Sequence, residues 1–327
     1  MIIRTNNGPA DAVPEGAVIM LGYFDGFHEG HKALAEAAYR IRKEKNAPCV
    51  MLWTFRRLAK GKAIADNREK AEAFFSYRPD TAYVVFEDFA AVSHLSGEEF
   101  VRDVLKSRFA PCAVVCGFDF RFGKNGACGP EELSEYCRTY GIGCCVVPPV
   151  TVNGKPVSST EIRQLIEAGD VHLALQRMVR PYALTAPVIH GKRIGRTLGF
   201  PTVNQRIPEE KAAPAKGIYA CRVTLPDGTV HNGVCNIGSR PTVNGDPSDI
   251  TVETFILDFS GDLYGDEITV SFYRKLRDEM RFSSKEELAA QIARDKQSAA
   301  DYFASAEMPA VRSYSGESCT TVFGGLE

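Results

Sequence analysis

The pattern of apolar runs changes near residue 180, and this change limits the folds open to the chain. In the first half, short runs rich in β-branched residues alternate with helix-like stretches. The runs cover 17–22, 49–55, 82–86, 112–116 and 143–147. Strands that alternate with helices favour a parallel sheet, and such apolar strands are covered on both faces. We therefore predict an α/β domain over residues 1–180.

The helix-like stretches between these runs carry the expected signals. Leu34, Ala38 and Ile41 mark one face of a helix over 31–45. Ser96 and Glu99 have the spacing of a capping box at the start of a helix over 96–109. Further helices are predicted over 130–140 and 159–178.

The second half is rich in strands and poor in helices. Its strand-like runs cover 182–189, 217–225, 229–236, 251–259 and 267–273, and Pro226-Asp227-Gly228 between two of them is a hairpin signal. With a helix near 284–303, this pattern predicts an antiparallel β-barrel closed by a helix over residues 181–305. Residues 306–327 lack periodicity, and we expect a flexible tail there.

Composition excludes several classes of function. The formal net charge is −2, so no basic field indicates a nucleic-acid partner. No apolar run has transmembrane length and the first residues are too polar for a secretory signal, so no membrane partner is expected and a cytoplasmic location is the default. The ten cysteines have apolar neighbours and no C-x-x-C spacing, which favours buried free thiols over disulfides or zinc.

The stretch GYFDGFHEGH, residues 22–31, is the first candidate site. A turn follows the predicted strand, and a helix begins where His28 and His31 lie one turn apart. Ligands bind at the carboxyl ends of strands in such sheets, and a helix N-terminus attracts phosphate. Gly30 lets a phosphate approach the backbone, and two imidazoles can donate to phosphoryl oxygens. Surface histidines are the main alternative, and a metal pair is a weaker one because a third ligand is missing nearby.

The stretch VSSTEIRQLI, residues 157–166, is the second candidate. Ser158, Ser159 and Thr160 offer hydroxyl and amide donors to a phosphate, and Arg163 offers a charged fork one turn later. A capping box of Ser158 and Glu161 is the alternative interpretation. Two other phosphate-binding motifs are absent: residues 117–125 depart from the Walker pattern, and no G-x-G-x-x-G follows a predicted strand.

The stretch HGKRIGRTLGFPTVN, residues 190–204, is the third. Its glycines allow a loop to wrap closely around phosphates: Gly191, Gly195 and Gly199. Thr202 and Asn204 point the same way on a strand, and their oxygens are hard ligands suited to Mg²⁺ carried by ATP. A glycine-rich barrel corner is the alternative.

Glu253 is a carboxylate inside the apolar run 252–257. An unpaired charge is costly to bury, so such a residue needs a reason. One interpretation is a general base that takes the proton from a primary hydroxyl attacking the γ-phosphate of ATP. The other is a side chain that faces outward from a barrel strand.

These motifs together resemble a known family. GYFDGFHEGH, CGFDFRFGKNG and VSSTEIRQLIEAGDV resemble, in order and spacing, the adenylyltransferase half of the bacterial bifunctional riboflavin kinase/FAD synthetase. HGKRIGRTLGFPTVN resembles the riboflavin kinase signature, and more of that pattern follows at 217–223, 232–243, 252–265 and 276–282. The resemblance implies a Rossmann-like nucleotidylyltransferase domain, then a kinase barrel.

The resemblance also implies roles for residues. His28 and His31 would stabilise the α-phosphate transition state, and Ser159, Thr160 and Arg163 would hold the outgoing phosphates. The expected binding residues are Gly22, Phe24, Asp25, Gly30, Asp119, Gly191, Gly195, Arg196, Gly199, Arg277 and Glu279, the last two on a loop over the flavin. The substrates would be riboflavin, FMN and ATP with Mg²⁺, and the oligomeric state stays open.

The chain departs from the family at one segment. The family's Thr-Phe-x-Pro-His-Pro is replaced by WTFRRLAKGKAIADNREK, residues 53–70, and Pro130 stands where an acidic residue is common. The leading interpretation is an enzyme that makes FMN and then FAD. Three alternatives stay open: a riboflavin kinase alone, a flavin-sensing binding module, and a nucleotidylyltransferase for a lipid or coenzyme precursor.

Overall fold

The computed structural model describes residues 3–5, 13–56, 61–77, 82–191, 200–239, 250–305 and 320–322. The chain divides into two compact units. The first contains Met1–Gly61, Asp66–Ser158 and Ser313–Glu327, and the second contains Lys62–Ala65 and Ser159–Arg312.

The elements have the following bounds. The strands are β1 (Ile3–Thr5), β2 (Val18–Leu21), β3 (Val50–Phe55), β4 (Ala82–Glu87), β5 (Ala113–Gly117), β6 (Gly143–Val147), β7 (Thr151–Val152), β8 (Lys155–Pro156), β9 (Ala183–Pro187), β10 (Thr202–Arg206), β11 (Gly217–Thr224), β12 (Val230–Ser239), β13 (Ile250–Ile256), β14 (Glu267–Arg277) and β15 (Thr320–Val322). The helices are α1 (Glu29–Glu44), α2 (Asn67–Tyr77), α3 (Phe89–Val92), α4 (Gly97–Glu99), which continues as a π-helix over Phe100–Phe109, α5 (Pro130–Thr139), α6 (Ser159–Ala168), α7 (Val171–Leu175) and α8 (Lys285–Ala304).

The first unit is built on a sheet with strand order β1-β4-β3-β2-β5-β6-β15. All of its pairs are parallel except β15 with β6. The central strands β2 and β3 are buried along their whole length, as their apolar sequences predict. Trp53 packs with Phe100 of the π-helix and with Leu133 of α5 in one core, and α1 contacts β2 and β5. The predicted parallel α/β fold is confirmed.

The second unit is an antiparallel six-stranded sheet with order β10-β13-β12-β11-β14-β9. It curls into a nearly closed barrel, and α8 packs on it through Ala299 and Tyr302, which contact Ala220, Val234 and Leu257. The barrel with its helix is therefore confirmed. The hairpin predicted at Pro226-Asp227-Gly228 joins β11 to β12, and Asp227 Oδ1 accepts from the Thr229 N–H at 2.9 Å.

The structure differs from the expected elements at three places. A single helix over 159–178 was expected, but Gly169 adopts φ +88° and separates α6 from α7. Such a conformation suits glycine and ends a helix. Helix α2 and the short strands β1, β7 and β8 were not among the predicted elements. Thr320–Val322, within the expected tail, forms a strand against Cys144–Val146.

The two compact units do not divide where the sequence pattern changes. The pattern changes near residue 180, whereas α6 and α7 pack with the second unit. Gly169 lies against Tyr219 of β11, since a Cβ there would be 2.9 Å from the tyrosine hydroxyl. The ring of His172 of α7 packs edge-on against that of Tyr302, with the ring centroids 6.2 Å apart. These contacts explain why the helices belong to the barrel unit.

Candidate active sites

The two histidines of the first unit cap helix α1 together. The N–H of His31 donates to Nδ1 of His28 at 3.3 Å, and the N–H of His28 donates to Nδ1 of His31 at 3.4 Å. The rings stack with centroids 3.6 Å apart. Because each Nδ1 accepts a hydrogen bond, each neutral ring carries its proton on Nε2. Each ring therefore carries one Nε2–H group that can donate a hydrogen bond.

Both imidazoles are neutral at physiological pH. Burial lowers the pKa of His28 to about 3. Burial, followed by the charges of His28 and Lys70, lowers the pKa of His31 well below its usual value. The pair therefore offers hydrogen bonds to a phosphate and no positive charge of its own.

Gly30 and Phe24 position the pair. A Cβ at Gly30 would lie 3.0 Å from Cε1 of His28, so a larger residue would crowd the ring where it folds back over the helix end. Phe24 has φ +49° and is buried with its ring 5.0 Å from that of His31. A Cβ at Gly22 would lie 3.2 Å from the same phenylalanine ring. Asp25, next in the turn, is also buried.

The other predicted phosphate residues are distributed over the chain. Asp119 is exposed in the turn after β5. Ser159, Thr160 and Arg163 lie in the first two turns of α6, which belongs to the second unit. Gly195, Arg196 and Gly199 lie outside the described residues.

Three side chains form a row across neighbouring strands of the barrel. Glu253 of β13 lies opposite Asn204 of β10 on one side and Asn236 of β12 on the other. Directly opposed residues in antiparallel strands share a face, with Cβ atoms about 5 Å apart. Among the described residues, the Asn236 Oδ1 is buried and finds no hydrogen-bond partner. Glu253 is thus flanked by two amides.

Glu253 lines a cavity of about 300 Å³. The walls of the cavity are largely apolar and aromatic: Phe200, Ile218, Val234, Phe255, Met280, Phe282, Leu288 and Ile292. Its polar lining consists of Thr202, Asn236, Glu253, Arg277, Glu279 and Asp295. A second cavity of about 330 Å³ lies beside Thr202 and is lined by the segment Phe259–Tyr264. Thr202 borders both cavities, so occupants of the two would meet at this residue.

Arg277 is held by a buried carboxylate. Its Nε and Nη2 donate to Oδ1 and Oδ2 of Asp295 on α8 at 2.8 and 2.6 Å. Gln291 Nε2 also donates to Asp295 Oδ1 at 2.9 Å. A two-pronged pair of this kind fixes direction as well as distance. It ties the end of β14, where the loop with Glu279 begins, to the closing helix.

Asn236 and Asp295 were missed by sequence reasoning. Asn236 falls within a stretch that resembles the kinase, but its place beside Glu253 follows only from strand register. Asp295 lies in a charged helix whose sequence reads as a solvated face, and only the pairing with Arg277 distinguishes it.

Thr202 and Asn204 fit a hard cation. Asn204 is only 5% exposed, and its side chain lies where a Cβ on Gly191 would be 2.4 Å from Nδ2. The hydroxyl, the amide oxygen and the nearby Glu253 carboxylate are oxygen donors of the type that Mg²⁺ takes when phosphates supply the rest. Among the described residues, no group of three His, Cys, Asp or Glu could hold a metal without such help.

Replacing Gly191 by alanine tests this packing. Because the added methyl overlaps the buried Asn204 amide, we expect Gly191→Ala to lower the rate of γ-phosphoryl transfer from ATP at least about tenfold. Asn204→Ala should give a similar loss, and the double variant should lose little more, since both act on one amide. Additive losses in a steady-state assay would contradict the assignment.

Fold and chemistry together define the class: a transferase that joins a nucleotidyl-transfer domain to a phosphoryl-transfer domain in one chain. The riboflavin kinase family model matches residues 178–303, and the FAD synthetase family model matches residues 10–161. The chain belongs to the bifunctional riboflavin kinase/FMN adenylyltransferase family. The resemblance inferred from the motifs is therefore confirmed.

Relatives with that name match almost the whole chain. The protein of Escherichia coli strain K12 is 35% identical over 311 residues, which cover 92% of this chain and 97% of the relative. The protein of Bacillus subtilis strain 168 is 34% identical over 303 residues, which cover 88% and 92%. A crystal structure titled as a macrolide-efflux protein from Streptococcus pneumoniae has a TM-score of 0.81 at 26% identity, covering 92% of this chain and 99% of that one. No helix in the described part of this chain is long and apolar enough to cross a membrane.

Proposed function

We propose that the barrel phosphorylates riboflavin to FMN, with Glu253 as the general base. The row Asn204–Glu253–Asn236 beside an apolar, aromatic cavity carries this proposal. The flavin ring occupies the apolar cavity, and its terminal ribityl hydroxyl lies at Glu253. The carboxylate takes the hydroxyl proton as the oxygen attacks the γ-phosphorus and the bond to the β-phosphate breaks. ATP occupies the second cavity, which Thr202 also borders.

The α/β domain then transfers AMP from a second ATP to FMN and releases pyrophosphate. The two Nε2–H donors of His28 and His31 bind oxygens of the α-phosphate, where charge builds in the transition state. Ser159, Thr160 and Arg163 bind the outgoing phosphates, and Gly22, Phe24, Asp25, Gly30 and Asp119 form the nucleotide pocket. Mg²⁺ bound by Thr202 and Asn204 in the kinase would neutralise phosphate charge.

The functional domains are residues 1–180 and 181–305, followed by a tail. Family models at 10–161 and 178–303 support this division. We place the protein in the cytoplasm, where ATP is supplied. The nine described cysteines are free thiols, as a reducing compartment allows.

A chromatographic time course with riboflavin, ATP and Mg²⁺ tests both activities. We expect FMN to form first and FAD to follow, with pyrophosphate released in equal amount to FAD. Absence of FMN would contradict the kinase assignment.

A riboflavin kinase without the second activity is the competing candidate, because the chain lacks the Pro-His-Pro segment within 53–70. It predicts that FMN accumulates. Pyrophosphate release from ATP and FMN would exclude it.

A further inference from the structure

Lys70 is a buried lysine within the segment where this chain departs from the family pattern. Its side chain is only 3% exposed. It follows directly on the start of α2, where Asp66 and Glu69 exchange capping hydrogen bonds of 2.9 and 2.8 Å. Burial of an ammonium group is costly, and a protein that keeps one inside needs it there.

The face of α2 that carries Lys70 packs on the histidine-bearing segment. Lys70, Phe74 and Tyr77 lie at positions i, i+4 and i+7 and share this face. The rings of Phe74 and Tyr77 lie 6.2 and 5.8 Å from that of Phe27, the residue before His28. The Tyr77 hydroxyl also donates to Glu36 of α1. The helix therefore directs Lys70 toward the turn and the first residues of α1.

Electrostatic interactions link Lys70 to that turn. The pKa of Lys70 is lowered by burial and raised again by the carboxylates of Asp25 and Asp66. The ammonium in turn lowers the pKa of His31. Asp25 is 1% exposed, so the pair of opposite charges lies inside the unit rather than in solvent. Lys70 thus interacts electrostatically with both Asp25 and His31.

Lys70 supplies a positive charge, which the two neutral histidines lack. Two neutral Nε2–H groups can bind phosphoryl oxygens, but they cannot balance the negative charge of an attacking phosphate and a leaving pyrophosphate. A fixed cation beside them can, and in a water-poor site its effect is larger than in solvent. Within the described part of the first unit, Lys70 is the ammonium that acts on His31.

We propose that Lys70 is a catalytic residue of adenylyl transfer that binds non-bridging oxygens of the α- and β-phosphates of ATP beside His28 and His31. As a phosphate oxygen of FMN attacks the α-phosphorus, the bond from this phosphorus to the bridging oxygen breaks, and the electron pair leaves with pyrophosphate. Lys70 keeps its proton throughout and stays bound to the departing pyrophosphate through the oxygen of the former β-phosphate. The proposal rests on the proposed AMP transfer by this domain.

The test uses the full-length protein and three variants. Lys70→Met keeps length and burial without charge, and Lys70→Arg keeps the charge. Lys32→Met is the matched control, because Lys32 is equally buried but pairs with Glu29 at 3.8 Å. FAD formation from FMN, binding of magnesium pyrophosphate by calorimetry, and FMN formation by the kinase domain are measured for each.

We expect Lys70→Met to lower kcat for FAD formation by about 10²-fold or more and to weaken pyrophosphate binding, while riboflavin phosphorylation is unchanged. Lys70→Arg should recover part of the FAD formation and part of the pyrophosphate binding. Lys32→Met should keep FAD formation and pyrophosphate binding at the wild-type level. Unchanged pyrophosphate affinity in Lys70→Met, or equal losses in Lys32→Met, would overturn the role of Lys70. If the wild-type protein binds pyrophosphate through Lys70 but makes no FAD, the proposed AMP transfer to FMN is wrong, whereas the contact of Lys70 with phosphate is correct.

Discussion

Glu253→Gln abolishes most riboflavin phosphorylation: we expect kcat to fall by about 10²–10⁴-fold, the usual contribution of a positioned general base. Glutamine has the shape of glutamate but cannot take the proton of the ribityl hydroxyl. A glutamine is compatible with the flanking amides of Asn204 and Asn236, so the cavity should keep its form. A steady-state assay of FMN formation measures the loss.

Two controls separate catalysis from packing. Riboflavin binding, measured by quenching of flavin fluorescence, should change little in Glu253→Gln, because the apolar walls are unaltered. Glu267→Gln replaces an exposed carboxylate at the start of β14 and should leave the rate unchanged. If Glu253→Gln keeps more than about a tenth of the wild-type kcat, the general-base role is wrong.

Local sequence patterns predicted the parts of both sites that depend on one segment. The strand–turn–helix order placed His28 and His31 at a helix start, and alternation along a strand placed Thr202 and Asn204 on one face. The apolar run around Glu253 identified this carboxylate as a candidate general base, and strand register places it between two amides. Hydrophobic periodicity and residue propensity are local properties of the sequence, so they predict features that lie within one segment.

The remaining features depend on contacts between distant segments. The pairing of Arg277 with Asp295 and the approach of Lys70 to His31 follow from how helices pack. Helix α2 was predictable, since Asp66 and Glu69 have capping-box spacing before its apolar residues. The mutual cap of His28 and His31 was not, because histidine is no preferred N-cap residue.

His31→Gln should lower FAD formation by about 10²–10³-fold while FMN formation continues at the wild-type rate. Glutamine at the third helical position can still accept the N–H of residue 28, as in an ordinary capping box, so the helix start is retained. What disappears is one of the two Nε2–H donors aimed at the α-phosphate. The kinase activity of the same molecule is the internal control for folding.

The pH dependence distinguishes neutral donors from imidazolium ions. Since burial lowers the pKa of His28 to about 3 and that of His31 in the same direction, these two histidines do not titrate between pH 6 and 8 in the folded protein. The FAD rate should therefore show no rise toward pH 6, and a rise that His31→Gln removes would contradict the neutral pair.

The same lowered pKa values predict that the free energy of unfolding falls as the pH falls. The unfolded chain binds protons at residues 28 and 31 below about pH 6.5, whereas in the folded chain the pKa of His28 is about 3 and that of His31 is lowered in the same direction, so acid favours unfolding below about pH 6.5. His31→Gln removes one of these proton sites and should reduce the acid sensitivity of the melting temperature.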